Sequence, residues 1–400
     1  MTTRLASQRI RSWSPGSVWG LRAFRNDRFA VAVFALLAVL AALRNFPSPE
    51  WISVELRNYG WALNRLVTGQ HMYFVPLPNN PSNPLAHYTP PPFTPLLGGQ
   101  FTNTPIAWGI INLSAMAAGI LFAAAASGAV SGRRPLPAIV VAVLVAALFG
   151  PAMTVLLLGN QQGFVVLALG AGWWLERRGR PGTSGVALVA GGLVKLFPGL
   201  VLVRSAARAE WRVLIAALAS ATVLIVVSAY LLGPHRYINF LRSLLEGAQP
   251  AFGRDFNLAP ASLLGSIPAS AVLILLGAVV IWWSARRDTA AVSFARAIVV
   301  ALVVWPVSWY EYASVVLVAA AVTFDRRTWR WLASALFLFS IANPLAWLAG
   351  AAVAWVGAGR FQEATEPEAS GNSAVPASSV ADERSMTPGW STPDGAEAGI

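Results

Sequence analysis

The chain contains no cysteine. That excludes disulfides, thiolate metal sites and cysteine nucleophiles, and it leaves the redox compartment open. Charge is scarce as well. Asp, Glu, Lys and Arg together make up 12% of the residues, about half of what a soluble globular domain carries. Histidine occurs only three times. No stretch has the composition of a soluble domain, and no internal repeat is strong enough to signal inverted symmetry. The period-2 alternation of a membrane β-barrel is missing too.

Apolar residues are abundant: 56% of the chain is hydrophobic. They fall in repeated stretches that approach the ~20 residues needed to cross a bilayer. In lipid, backbone groups must bond within their own segment, so these stretches are expected to be helices. The net charge is +12, and the arginines sit in short clusters beside the apolar runs. That pattern is the positive-inside signature of a membrane protein and argues against nucleic acid as a partner. The N-terminus carries Arg4, Arg9, Arg11, Arg22, Arg25 and Arg28 before the apolar run 29–43. The basic lead is too long for a signal peptide and no small-residue cleavage site follows, so the run reads as an uncleaved first span.

Arginine clusters assign each loop a side. A cytoplasmic basic segment 1–27 leads into span one at 28–45, which makes segment 46–103 external. Span two, 104–129, has Asn103 as candidate N-cap and Pro105 in its first turn. It returns to Arg133 and Arg134. Span three is 136–158, the tight loop Gly159-Asn160-Gln161-Gln162 is external, and span four, 163–176, ends at Arg177, Arg178 and Arg180. Stretch 183–203 breaks the alternation, because Arg204, Arg208 and Arg212 follow it. Two short helices meeting near Lys195 and Pro198 would resolve the conflict, as a re-entrant hairpin or tilted half-spans. Further spans follow at 211–233, 260–283, 291–307, 311–324, 328–342 and 345–359, with 234–259 an external loop. The tail 361–400, rich in Ser, Pro, Glu, Ala and Gly, is expected to be a disordered cytoplasmic extension. The fold expected over 28–360 is an all-α polytopic bundle of about 10–12 membrane helices in the cell's plasma or inner membrane. Both termini are then cytoplasmic.

On this assignment the unusual polar loops, 46–103, 159–162, 234–259 and 306–312, share the external side, where a site would be built. Residues 51–67 read as an amphipathic interfacial helix, with Ile52, Leu56, Tyr59, Leu63 and Leu66 three or four apart. Glu55 borders that apolar face. It is either a partly desolvated general base or an interfacial charge paired with Arg57 or Arg65. Gly69 is a candidate C-cap. His71, Tyr73, His87 and Tyr88 follow in a proline-rich loop, without a carboxylate at metal-ligand spacing. No metal site or other cofactor is expected, although a divalent ion is left open. Lys195, inside an apolar stretch, could hold a lipid phosphate or snorkel to the interface. Arg254, Asp255 and Asn257 crowd one external loop, as phosphate or sugar-hydroxyl ligands or as solvated residues. Glu311 begins a span within an aromatic belt, where an acid is costly unless solvated or paired.

Together these segments resemble glycosyltransferase family 87, polytopic GT-C-type enzymes that include polyprenol-phosphate-mannose-dependent mannosyltransferases. The family's acid, the tyrosine four residues on, and the closing glycine and tyrosine match Glu55, Tyr59, Gly69 and Tyr73. Its Tyr-x-Pro-Pro element matches Tyr88-Thr89-Pro90-Pro91. Its Gly-Gln-x-Asn turn is similar to Gly159-Asn160-Gln161-Gln162, permuted, and its Lys-x-x-Pro element matches Lys195 to Pro198. Asn257 and Ser262 approximate its late Asn-x-Ser loop, and Pro306 to Trp309 match its Pro-x-Ser-Trp element. The resemblance covers about 29–345. In two places the chain departs from it: the family acid is usually aspartate, and the family often has histidine near Glu311. The resemblance implies inverting transfer of a hexosyl group, mannosyl in the family, from a polyprenyl-phosphate sugar to a lipid or glycan acceptor at the external face. Glu55 would be the base, with Glu50 and Glu311 as alternatives. Lys195 or Arg254 would stabilise the leaving phosphate, and Tyr59, Tyr88, Asn160, Gln161, Asn257 and Glu311 would hold substrate. Membrane lipids would surround the bundle. Two other readings compete: a secondary transporter or lipid flippase, suggested by the many spans, the broken helix and the buried lysine, and a catalytically inactive relative.

Overall fold

A computed structural model describes residues 52–75, 77–78, 90–128, 135–251, 257–260, 263, 267–324 and 328–365. The expected basic N-terminus and first span, and the tail from 366 on, lie outside the described residues. Among those described, the fold is helical throughout, with one isolated bridge between Asn257 and Trp309.

Fifteen α-helices follow in order. They are α1 (Val54–Val67), α2 (Thr94–Gly98), α3 (Pro105–Ala126), α4 (Pro135–Leu148), α5 (Gly150–Leu158), α6 (Gln162–Arg177), α7 (Pro181–Val194) and α8 (Val201–Ala207). After these come α9 (Trp211–Leu232), α10 (Pro234–Ala251), α11 (Ile267–Arg287), α12 (Ala290–Val304), α13 (Val316–Val322), α14 (Trp329–Phe339) and α15 (Pro344–Thr365). Three, α3, α9 and α11, are long and apolar enough to cross a membrane alone. The span expected at 136–158 is a bent pair instead: α4 and α5 meet at 76° around Phe149. Pro151 sits in the first turn of α5, where its missing N–H is harmless, but its ring cannot continue α4. The multi-pass character read from composition therefore stands, while three expected crossings are shorter apolar helices, α12, Tyr310–Val322 and α14, and α7 and Phe197–Ala207 are the two short helices expected of 183–203.

Among the short helices, α12 is an interior element. Ten of the fifteen residues of α12 are buried, from Val292 through Leu302 with Val300 partly covered. A helix of that length that is apolar all round belongs to a core. By contrast α9 exposes Trp211, Ile215, Leu218, Val223, Val226 and Leu231, and α11 exposes Val272, Leu275 and Val279. These two carry lipid-facing surface. In lipid, helices associate through close packing, which favours small residues at crossings. Where α3 meets α6, a Cβ on Gly170 would stand 2.0 Å from the carbonyl oxygen of Gly119. Only glycine permits that approach.

One end of the bundle is tied by arginine. Arg204, fully buried on α8, donates to both oxygens of Glu176 at the end of α6 (2.9 and 2.7 Å) and to Glu210 (3.2 Å). It also donates to the Ser293 hydroxyl and the Ala290 carbonyl of α12. Arg208 reaches the Ala285 and Asp288 carbonyls, and Arg296 pairs with Asp288 at 2.6 Å. Removing one member of such a buried pair typically costs ~3–5 kcal/mol. Arg204, read from sequence as a marker of sidedness, is thus also a structural hub. The loops after α6, α8 and α11 meet here, and the described parts of the polar loops singled out above meet at the opposite end.

Candidate active site

The site begins with a helix end. Gly159 closes α5 in the left-handed conformation (φ 73°), and the Asn160 N–H returns to the Val155 carbonyl (3.0 Å). The Asn160 side chain then bridges two elements. Its oxygen accepts from the Gln162 N–H at the start of α6 (3.0 Å), and its amide nitrogen donates to Glu311 Oε1 (3.2 Å). Gln161 donates to the Thr94 carbonyl of α2 (2.8 Å), and the Trp108 indole to the Gly159 carbonyl (2.8 Å). All four residues from Gly159 to Gln162 are buried. The Gln161 side-chain oxygen and both polar atoms of the Gln162 amide have no hydrogen-bond partner among the described residues.

Helix α1 docks onto this turn. The Ser53 N–H bonds the Leu157 carbonyl (2.6 Å), and Leu56 packs against Gly159 so closely that a Cβ there would lie 2.7 Å from its own. Leu56, Tyr59 and Leu66 form the buried stripe expected of the 51–67 helix, while Ile52 is left exposed. Gly69, with φ 74°, ends α1 as expected: Gln70 N–H returns to Arg65 and Gly69 N–H to Leu66. The docking leaves Glu55, one residue before Leu56, half-buried beside the Asn160 turn.

Two further segments converge. Stretch 183–203 breaks at Lys195, as expected: α7 stops there with Lys195 extended (φ −141°, ψ 126°), and a 3-10 turn, Phe197–Leu200, leads into α8. Both flanks of this stretch lie at the arginine-tied end, through Arg180 N–H to Leu175 and Arg204 to Glu176, so Lys195 sits at the far tip of a helical hairpin. The 3-10 turn Tyr310–Val315 supplies Glu311, 3% exposed, and Tyr312. Lys195 Nζ donates to the Tyr312 hydroxyl (3.0 Å). Glu55 and Glu311 both lie within electrostatic reach of the Lys195 ammonium, and of each other. Four distant parts of the chain thus bring two carboxylates, one ammonium and a carboxamide to one end of the bundle.

The family model for glycosyltransferase family 87 matches residues 87–308, more than half of the chain. The chain belongs to glycosyltransferase family 87. No curated protein and no solved structure matches it. The matched region of this family 87 glycosyltransferase contains Asn160, Gln161, Lys195 and Asn257. Glu55 lies before it, and Glu311 just after it.

The remaining expected residues are distributed as follows. Tyr59 is buried in an apolar cluster with Leu56, Trp108 and Phe240, its ring against Gly98. Asn257 is buried, and its amide serves the backbone: it donates to the Pro306 carbonyl (3.0 Å) and accepts from Ser308 N–H (3.0 Å) and Ala259 N–H (3.2 Å). It holds the 306–309 segment that precedes Glu311. His71 is exposed, and its carbonyl accepts from Arg65. Tyr73 donates to the Pro90 carbonyl (2.9 Å), and burial pushes its hydroxyl well above the phenol range, so it stays a donor. Glu50, His87, Tyr88, Arg254, Asp255 and Ser262 lie outside the described residues. Among those described, no three His, Asp or Glu side chains gather as a metal would need. Sequence reading missed Tyr312, which looked like one more belt aromatic. It also missed α10 in the segment read as a loop, although Phe240 and Leu244 stand four apart there. Phe240 packs against Tyr73, and Arg236 donates to the Gln70 carbonyl.

Proposed function

We propose that this glycosyltransferase moves a hexosyl group, mannosyl by its resemblance, from a polyprenyl-phosphate sugar to a hydroxyl of a lipid or glycan acceptor. The observation that carries the reading is the convergence at the end of the bundle away from the arginine ties: Asn160 bonds Glu311, Lys195 bonds the adjacent Tyr312, and α1 packs Leu56, next to Glu55, onto Gly159. Glu55 is half-buried and Glu311 buried and bonded to Asn160, so the more open acid suits the base. In the step proposed, Glu55 takes the proton of the acceptor hydroxyl as its oxygen bonds to the anomeric carbon. The anomeric carbon–oxygen bond to phosphate breaks, and its electron pair leaves on the polyprenyl phosphate. Attack opposite the leaving group inverts the anomeric centre. Lys195, or Arg254 as the alternative read from the sequence, would stabilise the phosphate charge as it develops. Gln161 and Gln162 carry buried polar atoms that would otherwise each cost ~1–3 kcal/mol, which favours polar substrate groups nearby. The arginine-tied end would face the cytoplasm and the site the external side.

The test is transfer of labelled sugar from polyprenyl-phosphate-mannose to membrane lipid extract, comparing wild type with Glu55→Gln. A general base contributes about 10²–10⁴-fold, and a loss of that order in a folded variant is expected. Equal transfer by both proteins would remove Glu55 from the role and turn attention to Glu311.

A further inference from the structure

Lys195 is the only lysine in the sequence; every other basic side chain among the 29 is arginine. A chain that otherwise uses only arginine places its single ammonium at the tip of the α7–α8 hairpin. The chemistry differs: arginine presents a rigid planar fork, whereas an ammonium is a compact charge with three rotatable donors.

The surroundings of that ammonium are built for holding it rather than neutralising it. Its one hydrogen-bond partner among the described residues is the Tyr312 hydroxyl, at 3.0 Å. Nζ lies 4.5 Å from the centroid of the Tyr312 ring, out at its hydroxyl end. Two residues on, Phe197 stacks on the same tyrosine with centroids 5.4 Å apart and planes at 18°. The turn 195–197 therefore grips Tyr312 by both its cation and its aromatic ring. Among the described residues no carboxylate comes within 4.0 Å of Nζ to form an ion pair, unlike Arg204 or Arg296. Glu55 and Glu311 attract it from further away. Among the described residues two N–H donors are thus left for an anion, while Tyr312 fixes where they stand.

We propose that Tyr312 is the positioning residue that presents Lys195 to the phosphate of the lipid donor. This rests on the reading of Lys195 as the phosphate ligand. Tyr312 touches neither sugar nor acceptor in this scheme. It acts through Lys195, so its effect belongs to donor binding.

The probe is a short-chain polyprenyl phosphate, titrated onto the full chain in detergent for wild type, Tyr312→Phe and Lys195→Ala. Tyr312→Phe keeps the ring for Phe197 and loses only the hydroxyl. We expect it to weaken polyprenyl-phosphate binding about tenfold, the scale of one hydrogen bond to a charged group, and to raise the donor KM while leaving the acceptor KM unchanged. Because the chain has one lysine, an amine reagent read by mass spectrometry reports Lys195 and the N-terminus alone. Polyprenyl phosphate is expected to protect Lys195 in the wild type and less in Tyr312→Phe. If Lys195→Ala weakens binding but Tyr312→Phe binds and protects like wild type, the role of Tyr312 is overturned while Lys195 keeps its own. If Lys195→Ala binds polyprenyl phosphate as tightly as wild type, the phosphate role of Lys195 fails and takes this proposal with it.

Discussion

Gly159 shows how much of the site hangs on one residue. Its backbone is left-handed at φ 73°, a conformation that costs a residue with a side chain ~1–2 kcal/mol. A Cβ there would also stand 2.7 Å from that of Leu56, and overpacking of this kind costs ~1–3 kcal/mol. Gly159→Ala is therefore expected to destabilise the protein by about 2–5 kcal/mol if the two effects add. It should also push α1, and Glu55 with it, away from the Asn160 turn. Thermal melting in detergent together with the transfer assay checks this; unchanged melting and transfer would mean that α1 does not depend on the contact. Legibility at this scale followed chemical cost. Glu55, Lys195 and Glu311 stood out because charge beside apolar sequence is expensive, and the structure brings them together. Tyr312 did not stand out, because a tyrosine at a span's end is cheap and common, and only the fold shows the ammonium at its hydroxyl. Asn257 was legible as polar but not in its partners, which are backbone groups on another segment.

At the scale of elements, breaks were easier to read than lengths. Lys195 and Pro198 announced the α7–α8 hairpin, and Gly69 the end of α1. The bend at Phe149 went unread because Pro151 lies in an unbroken apolar run, where hydropathy shows continuity and only the backbone shows the 76° turn. The N-cap of α3 moved by one residue, to Thr104 rather than Asn103, and neither side chain makes the capping bond. Helix α10 was hidden by its polarity. Its inward face carries Arg236, Phe240 and Ser243, while Ile238 and Leu241 are 61% and 59% exposed. In a multi-pass protein an exposed apolar pair on an otherwise polar helix is satisfied by the lipid interface. The cysteine-free chain allows single nitroxide labels to test this. Labels replacing Ile238 and Leu241 should be more accessible to lipid-dissolved oxygen than to a water-soluble nickel chelate, with the reverse at exposed Gln70. Water-like accessibility at all three positions would detach α10 from the membrane surface.

For the whole molecule, the two ends of the bundle carry different chemistry. One is bound by Arg204, Arg208 and Arg296 to carboxylates and helix-end carbonyls; the other gathers Glu55, Asn160, Lys195 and Glu311. The arginine clusters were read as markers of the cytoplasmic side before any contact was known, and the contacts place three of those loops together. Two independent arguments, positive charge and tertiary contact, therefore partition the loops in the same way. If that partition is also a topology, an impermeant thiol reagent applied to intact cells should label a cysteine at Gln70 and spare one at Arg178 or Arg287, which should react only after permeabilisation. All three side chains are exposed in the fold, so burial cannot account for a difference. Labelling of all three from one side would break the link between arginine clusters and membrane side. It would also bear on the chemistry, because Gln70 directly follows the cap of α1, the helix that carries Glu55. The side on which Gln70 reacts is the side from which an acceptor must arrive. A reversed pattern, with Arg178 labelled and Gln70 protected, would keep the two ends of the bundle but move the proposed transfer to the cytoplasmic face.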